Sequence, residues 1–225
     1  MNPLQKLQKI LETVYNLPHH FDADRFLINH HTLQKMLKSS PQAFEDCHWS
    51  DQRNEMLLVQ SDQETVSIAL FIDPGVINNL VRHDPWQDLS LNNWDDFWTA
   101  VEGISHFLFL LQRVRRAQPV RPLEFELQAE VDKYLLFRLF FVAHRQASVD
   151  LKTSLFDRYK LVPNLSPEER ERYQLANRLA WQYCTVLERR FVWNSKRLLL
   201  EIRHFYPLSL PEKIHRIQTG LIGAS

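Results

Sequence analysis

Glycine is scarce in this chain, which has only four glycines in 225 residues. Average usage would give roughly four times as many. Glycine supplies the positive-φ turns and the close backbone approach that most phosphate and dinucleotide sites require. The four are scattered, at Gly75, Gly103, Gly220 and Gly223. Neither a P-loop nor a Gly-x-Gly-x-x-Gly turn can be formed from them, so the sequence excludes the nucleotide-binding folds that depend on those motifs.

Cysteine and long apolar runs are also lacking. The two cysteines, Cys47 and Cys184, are far apart and show no metal-ligand spacing, which predicts reduced, buried thiols in a cytoplasmic protein. The first residues lack the basic-then-apolar plan of a signal peptide, so no export is indicated. The longest nearly apolar stretch, residues 134–143, is about half a bilayer span and contains Arg138. We therefore expect a buried core helix there and no membrane contact.

Prolines mark several helix starts, because proline is favoured at the first helical position, where its missing donor costs nothing. The pairs that indicate helix starts in this way are Asn2-Pro3, Ser40-Pro41, Asp73-Pro74 and Ser166-Pro167. Ser166 with Glu169, and Ser209 with Glu212, have the spacing of a capping box. These signals and the apolar periodicity predict helices near residues 3–17, 31–47 with a break at Pro41, 74–83, 93–116, 122–147, 167–192, 195–206 and 210–219.

One segment departs from helical periodicity and predicts a β-hairpin. Residues 55–60 and 65–73 are rich in β-branched and aromatic side chains and flank a polar turn. An isolated hairpin is marginal in water, and residues 25–29 are the candidate for a third strand. The predicted fold class is α+β and predominantly α-helical: a central antiparallel helix hairpin with flanking helices, and a β-hairpin or three-stranded sheet in the N-terminal part. We expect a single compact unit over residues 1–225, divisible at most into a small α+β part (1–91) and a helical part (92–225).

The two middle helices carry polar residues on largely apolar surfaces. Glu102 and His106 are four residues apart and so are neighbours on the less apolar face of the first helix. Gly103 lies in the same turn, where glycine costs about 1 kcal/mol relative to alanine, which indicates that another element approaches closely. If the second helix folds back through the proline-containing link, Glu130 and Lys133 lie level with this turn. The candidate site therefore consists of four polar residues, which are also its candidate catalytic residues: Glu102, His106, Glu130 and Lys133.

Three interpretations of this group stay open. In a structural network, the carboxylates fix His106 and Lys133 neutralises them. In a general acid or base site, burial shifts the pKa of Glu102 or Glu130. In a metal site, carboxylates and imidazole bind an ion, but neither Glu102 with His106 nor Glu126 with Glu130 has the Glu-x-x-His spacing of the familiar di-metal bundles. The structural network is the favoured interpretation, and on it we expect no metal site and no cofactor.

Charge is unevenly distributed, although the formal net charge is zero. Residues 151–225 carry 13 Lys and Arg against 7 Asp and Glu, whereas residues 1–150 carry 14 against 20. This asymmetry predicts either docking between the two parts or a surface for a protein partner or a second copy of the chain. Six basic residues are the candidate partner contacts: Arg170, Arg172, Arg189, Arg190, Lys196 and Arg197.

These features favour a non-catalytic interaction or scaffold subunit of a cytosolic assembly, because no catalytic motif occurs. Two alternatives stay open. The first is a small-molecule or metal-dependent enzyme that uses the Glu/His cluster between the two core helices. The second is a nucleic-acid-binding accessory protein that uses the basic C-terminal helices. Overall neutrality predicts that any nucleic-acid binding is weak.

Overall fold

The computed structural model describes residues 1–39, 54–61, 65–144, 165–191 and 194–220. It is 69% helical, which confirms the prediction of a predominantly helical α+β fold. The described part contains eight α-helices and three strands: α1 (Pro3–Tyr15), β1 (Leu27–Ile28), α2 (His30–Ser39), β2 (Glu55–Ser61), β3 (Val66–Ile72), α3 (Pro74–Arg82), α4 (Trp94–Arg115), α5 (Pro122–His144), α6 (Pro167–Phe191), α7 (Ser195–Phe205) and α8 (Leu210–Thr219).

The helices begin at the capping signals that the sequence predicts. The side chain of Asn2 accepts a hydrogen bond of 2.8 Å from the backbone nitrogen of Gln5 and so caps α1. At the start of α6, the Ser166 hydroxyl accepts from the Glu169 backbone nitrogen, and the Glu169 carboxylate accepts from the Ser166 backbone nitrogen. This is the predicted capping box. The predicted helical residues 40–47, 145–147 and 192 lie outside the described residues, as does Cys47.

The sheet has the strand order β1-β3-β2. β2 and β3 form the predicted antiparallel hairpin, with Glu55 opposite Ile72 at the end away from the turn. β1 lies within the predicted third-strand segment and pairs parallel with β3, where Leu27 is opposite Leu70. The register places Glu55 at the end of the sheet from which β3 continues into α3.

α4 is the central element, and buried side chains cover nearly all of its faces. It contacts α1, α3, β2, β3 and α5, and α6 packs against α5. One apolar core extends from Leu4 on α1 to Ile217 on α8. No helix in the described ranges is both long and apolar enough to span a membrane.

The central helix hairpin of the predicted fold is formed by α4 and α5. Arg113 and Glu124 form an ion pair of 2.7 Å beside the link between the two helices. Glu102 and Lys133 form a second ion pair of 2.7 Å farther from the link. The residue nearer the start of α4 thus pairs with the residue nearer the end of α5, as expected for antiparallel helices.

Candidate metal centre

The candidate centre lies where the edge of the sheet meets the helix hairpin. Glu55 begins β2, while His106 lies in α4 and Glu126 in α5. The sheet approaches α4 closely at Gly103, where an added Cβ would lie 3.1 Å from Ile72 Cδ1 and 3.5 Å from Glu55 Oε2. The element that approaches Gly103, as the glycine in the helix interior predicts, is therefore the sheet. Glycine at this position lets the Glu55 carboxylate reach the surface of the helix.

Three side chains offer ligand atoms around a common point. One ligand atom each of Glu102, His106 and Glu126 lies within 4.8 Å of the other two. His106 Nε2 is 3.9 Å from Glu126 Oε2, and His106 Nδ1 is 3.6 Å from Glu55 Oε2. The side chains of His106 and Glu126 are only 8% and 9% exposed. Glu55 and Glu126 therefore face different nitrogens of one buried imidazole ring.

Buried polar atoms without a hydrogen-bond partner gather at this point. Within the described ranges they include Glu55 Oε2, His106 Nε2 and Arg172 Nε. Arg172 Nε lies 3.9 Å from Glu126 Oε1, so all three atoms border the same cluster. A buried polar group left unpaired costs about 1–3 kcal/mol. Each of the three lies near an oppositely charged group but lacks a hydrogen bond, and such atoms mark places where a water molecule or an ion can bind.

The balance of charge at the centre favours a cation. Four carboxylates face two permanent cations: Glu55, Glu102, Glu126 and Glu130 against Lys133 and Arg172. The formal charge is therefore −2 with His106 neutral, the form that binds a metal, and −1 with His106 protonated. Burial opposes a charge on His106, but the Glu55 and Glu126 carboxylates outweigh burial and raise its pKa. Burial also raises the pKa of Glu126. Both shifts bring protons into the metal-free cluster, and a divalent ion would replace those protons.

The structure brings the four residues predicted from the sequence close together, in two overlapping sets. Lys133 Nζ donates hydrogen bonds to Glu102 Oε2 at 2.7 Å and to Glu130 Oε1 at 2.9 Å. Burial opposes the charge on Lys133, but these two carboxylates raise its pKa above the ordinary value, so the amine is an ammonium group. Glu102 also belongs to the set that includes His106. Glu130 does not, and Glu126, one turn nearer the link, faces His106 in its place.

Three residues of the centre are absent from the sequence-based candidate site. Glu126 carries a usable signal, because it lies four residues before Glu130 on the same helix. Arg172 has a basic side chain that the sequence assigns to partner binding, but it is partly buried beside Glu126. Glu55 has no local signal, because only the packing of the hairpin on α4 brings it to His106.

The other predicted partner contacts lie on the surface of α6 and α7. They are all exposed: Arg170, Arg189, Arg190, Lys196 and Arg197. Exposure is necessary for a partner contact. Acidic residues share this surface, because Glu168 and Glu171 are also exposed in the first turns of α6. The surface is therefore mixed in charge at the start of α6 and more basic toward its end.

The ligand set combines one imidazole with two carboxylates. Carboxylate oxygens suit Mn²⁺, and imidazole nitrogen suits Fe²⁺ and the later first-row ions. In many metal sites, a carboxylate accepts the second ring N–H of a histidine ligand and so fixes its tautomer and orientation. Glu55 lies on this side of His106, 3.6 Å from Nδ1 and so just beyond hydrogen-bond distance, which leaves Nε2 directed toward Glu126. The residues present can thus supply three metal ligands and one supporting carboxylate.

No known protein family, no curated protein and no solved structure matches this chain. Buried polar atoms without a hydrogen bond converge between the sheet and the helix hairpin, and the chemistry of this centre is the feature that points to a function.

Proposed function

We propose that this is a metal-binding protein, in which Glu102, His106 and Glu126 bind a single divalent ion, Mn²⁺ or Fe²⁺. The observation that supports it most directly is His106 Nε2, which is buried without a hydrogen-bond partner in the described part of the chain and lies 3.9 Å from a Glu126 oxygen. Glu55 supports the imidazole from its other nitrogen. Carboxylate oxygens suit Mn²⁺ and imidazole nitrogen suits Fe²⁺, so this mixed ligand set can hold either ion.

The proposed role of the ion is to hold the sheet edge against α4 and α5. The free energy of binding to the folded state adds to the stability of that state, because the unfolded chain has no such site. The near-complete burial of His106 and Glu126 favours this role over turnover of a substrate. We therefore propose a non-catalytic, cytoplasmic protein with a metal-stabilised core. The exposed basic residues of α6 and α7 are its proposed contacts with a protein partner or a second copy.

Direct metal binding tests the proposal. The full chain is treated with a chelator, exchanged into metal-free buffer, and titrated with Mn²⁺ while the free ion is followed by electron paramagnetic resonance. We expect one bound ion for each chain. His106→Ala and Glu126→Gln should abolish measurable binding, because each removes a ligand. Glu55→Gln should weaken binding by about 10–100-fold, the usual effect of losing the group that supports a histidine ligand.

His19 provides the matched control. It also lies between two carboxylates, at 2.9 Å from Glu12 and 3.1 Å from Asp22, but its side chain is 56% exposed. His19→Gln should leave Mn²⁺ affinity unchanged. The proposal would be overturned if the wild-type chain bound neither Mn²⁺ nor Fe²⁺, or if His19→Gln weakened binding as much as His106→Ala does.

A further inference from the structure

Lys133 lies in the position of a second cation beside the proposed metal ion. Its ammonium group is held between one carboxylate of α4 and one of α5, at 2.7 Å from Glu102 and 2.9 Å from Glu130. Its side chain is only 13% exposed. The contacts are short and charge-assisted, so the ammonium group is fixed in place instead of sampling solvent.

Glu102 is shared between this ammonium group and the metal ligands. Its carboxylate supplies one hydrogen-bond acceptor to Lys133 and one ligand atom to the set with His106 and Glu126. In two-metal sites the ions lie about 3.5–4 Å apart, and in helical bundles they are held by glutamates that project inward from facing helices. Glu102 and Glu130 form such a pair across α4 and α5, with an ammonium group between them.

We propose that Lys133 occupies the second cation position of the centre, so that the native protein binds one divalent ion and not two. This inference rests on the proposed metal-binding function. Lys133 is then a positioning residue: it holds Glu102 toward the first ion and supplies the charge that a second ion would otherwise bring. Without it, four carboxylates face Arg172 as the only permanent cation among the described residues of the centre, and a second divalent ion compensates the excess negative charge.

The test is the number of ions bound after Lys133 is replaced. Lys133→Met keeps most of the length of the side chain and removes its charge, and Lys133→Ala leaves more room for the water ligands of an added ion. Both full-length variants are loaded with Mn²⁺, freed of excess ion, and analysed for Mn and protein content. A variant that does not fold alone is refolded with Mn²⁺ present, and the count is made on the folded fraction. Lys6→Met is the matched control, because Lys6 also pairs with one carboxylate, Asp84, but far along the chain from the centre.

We expect one ion in the wild type and in Lys6→Met, and two in at least one Lys133 variant, with the spin-coupled resonance of neighbouring Mn²⁺ ions. Glu130→Gln added to that variant should return the count to one, because it removes a ligand of the second ion. One ion in both Lys133 variants would overturn the inference and leave the metal-binding proposal intact. No ion in the wild type would overturn both.

Discussion

The side-chain amine of Lys213 donates a hydrogen bond of 2.8 Å to the side-chain oxygen of Gln128, with no part of the lysine exposed to solvent. It also lies 4.5 Å and 4.9 Å from the ring centres of Phe109 and Phe205. Gln128 in turn donates to Asp132 at 2.9 Å. α8 is therefore joined to α5 through a buried polar chain that runs from the amine of Lys213 to the carboxyl group of Asp132.

The contribution of Lys213 to the stability of the protein should rise with pH above neutrality. Burial, with help from the charge of Arg113, lowers its pKa to about 7, although Glu124 and Asp132 oppose the shift. Between that value and the ordinary 10.5, the unfolded chain binds a proton that the folded chain does not. Stability linked to this group therefore increases with pH across that window, by at most about 1.4 kcal/mol for each pH unit.

Lys213→Met should remove this dependence. The free energy of unfolding of the wild type minus that of the variant is measured by urea melts from pH 6 to pH 10, and the difference should move in favour of the wild type as pH rises above about 7. Lys196→Met changes an exposed lysine of α7 and should show no such trend. A constant difference for Lys213→Met would contradict the lowered pKa.

The fold could be predicted because its signals are local. The caps at Asn2 and Ser166 fix where α1 and α6 begin, and both are made by residues within one turn of the helix. The hairpin of β2 and β3 has its own alternating pattern and a polar turn. The third strand also follows from simple physics, since two strands alone bury too little surface.

The composition of the centre could be predicted only in part. A fold-back of the two helices fixes their approximate register, and Ser105 does lie opposite Asp132 at 2.5 Å. The rotation of each helix about its own axis decides which side chains face inward, and the packing of α1, α6 and the sheet sets that rotation. Glu126 therefore faces His106, although the sequence favoured Glu130 as the carboxylate beside this histidine. The contribution of Glu55 depends on a contact between elements distant in sequence, for which no local pattern exists.

Arg113 should be among the most important buried residues for stability. Its side chain donates to Glu124 at 2.7 Å and to the backbone oxygen of Leu208 at 2.6 Å, and so connects α4, α5 and the turn before α8. Arg113→Met should lower the free energy of unfolding by about 3–5 kcal/mol, because it leaves a buried carboxylate unpaired. Arg113→Lys should restore little, since one ammonium group cannot reproduce the forked contacts.

A double variant separates the unpaired charge from the lost packing. Arg113→Met with Glu124→Gln keeps an acceptor for the Arg121 backbone nitrogen, which Glu124 binds at 2.9 Å, but leaves no buried charge. Its unfolding free energy should lie between that of Arg113→Met and that of the wild type in denaturant melts. If the double variant were less stable than Arg113→Met, the explanation from the unpaired charge would be wrong.

Gly103 should not accept a branched side chain. An added Cβ would already lie 3.1 Å from Ile72 Cδ1, and Ile72 is itself buried in the core. Gly103→Val should therefore cost about 1–3 kcal/mol through overpacking between α4 and β3. Thr99→Val, at a partly exposed position on the same helix, loses only the hydrogen bond to the Asp95 backbone oxygen and should change stability by less than about 1 kcal/mol. Thermal and urea melts measure both, and equal stability of Gly103→Val and wild type would show that the sheet can move away from the helix.

The exposed basic side chains of α6 and α7 should not bind nucleic acid tightly. The chain has no net charge to produce a long-range positive field, and Glu168 and Glu171 lie beside Arg170 on the exposed surface. Fluorescence anisotropy with a random oligonucleotide at physiological salt should give a dissociation constant weaker than about 1 µM, in the range of non-specific contacts. Replacing Arg189 and Arg190 together by glutamate should change this value little. Tighter binding that falls steeply with added salt and is lost in the double variant would contradict the prediction, and would favour nucleic acid over protein as the partner of this surface.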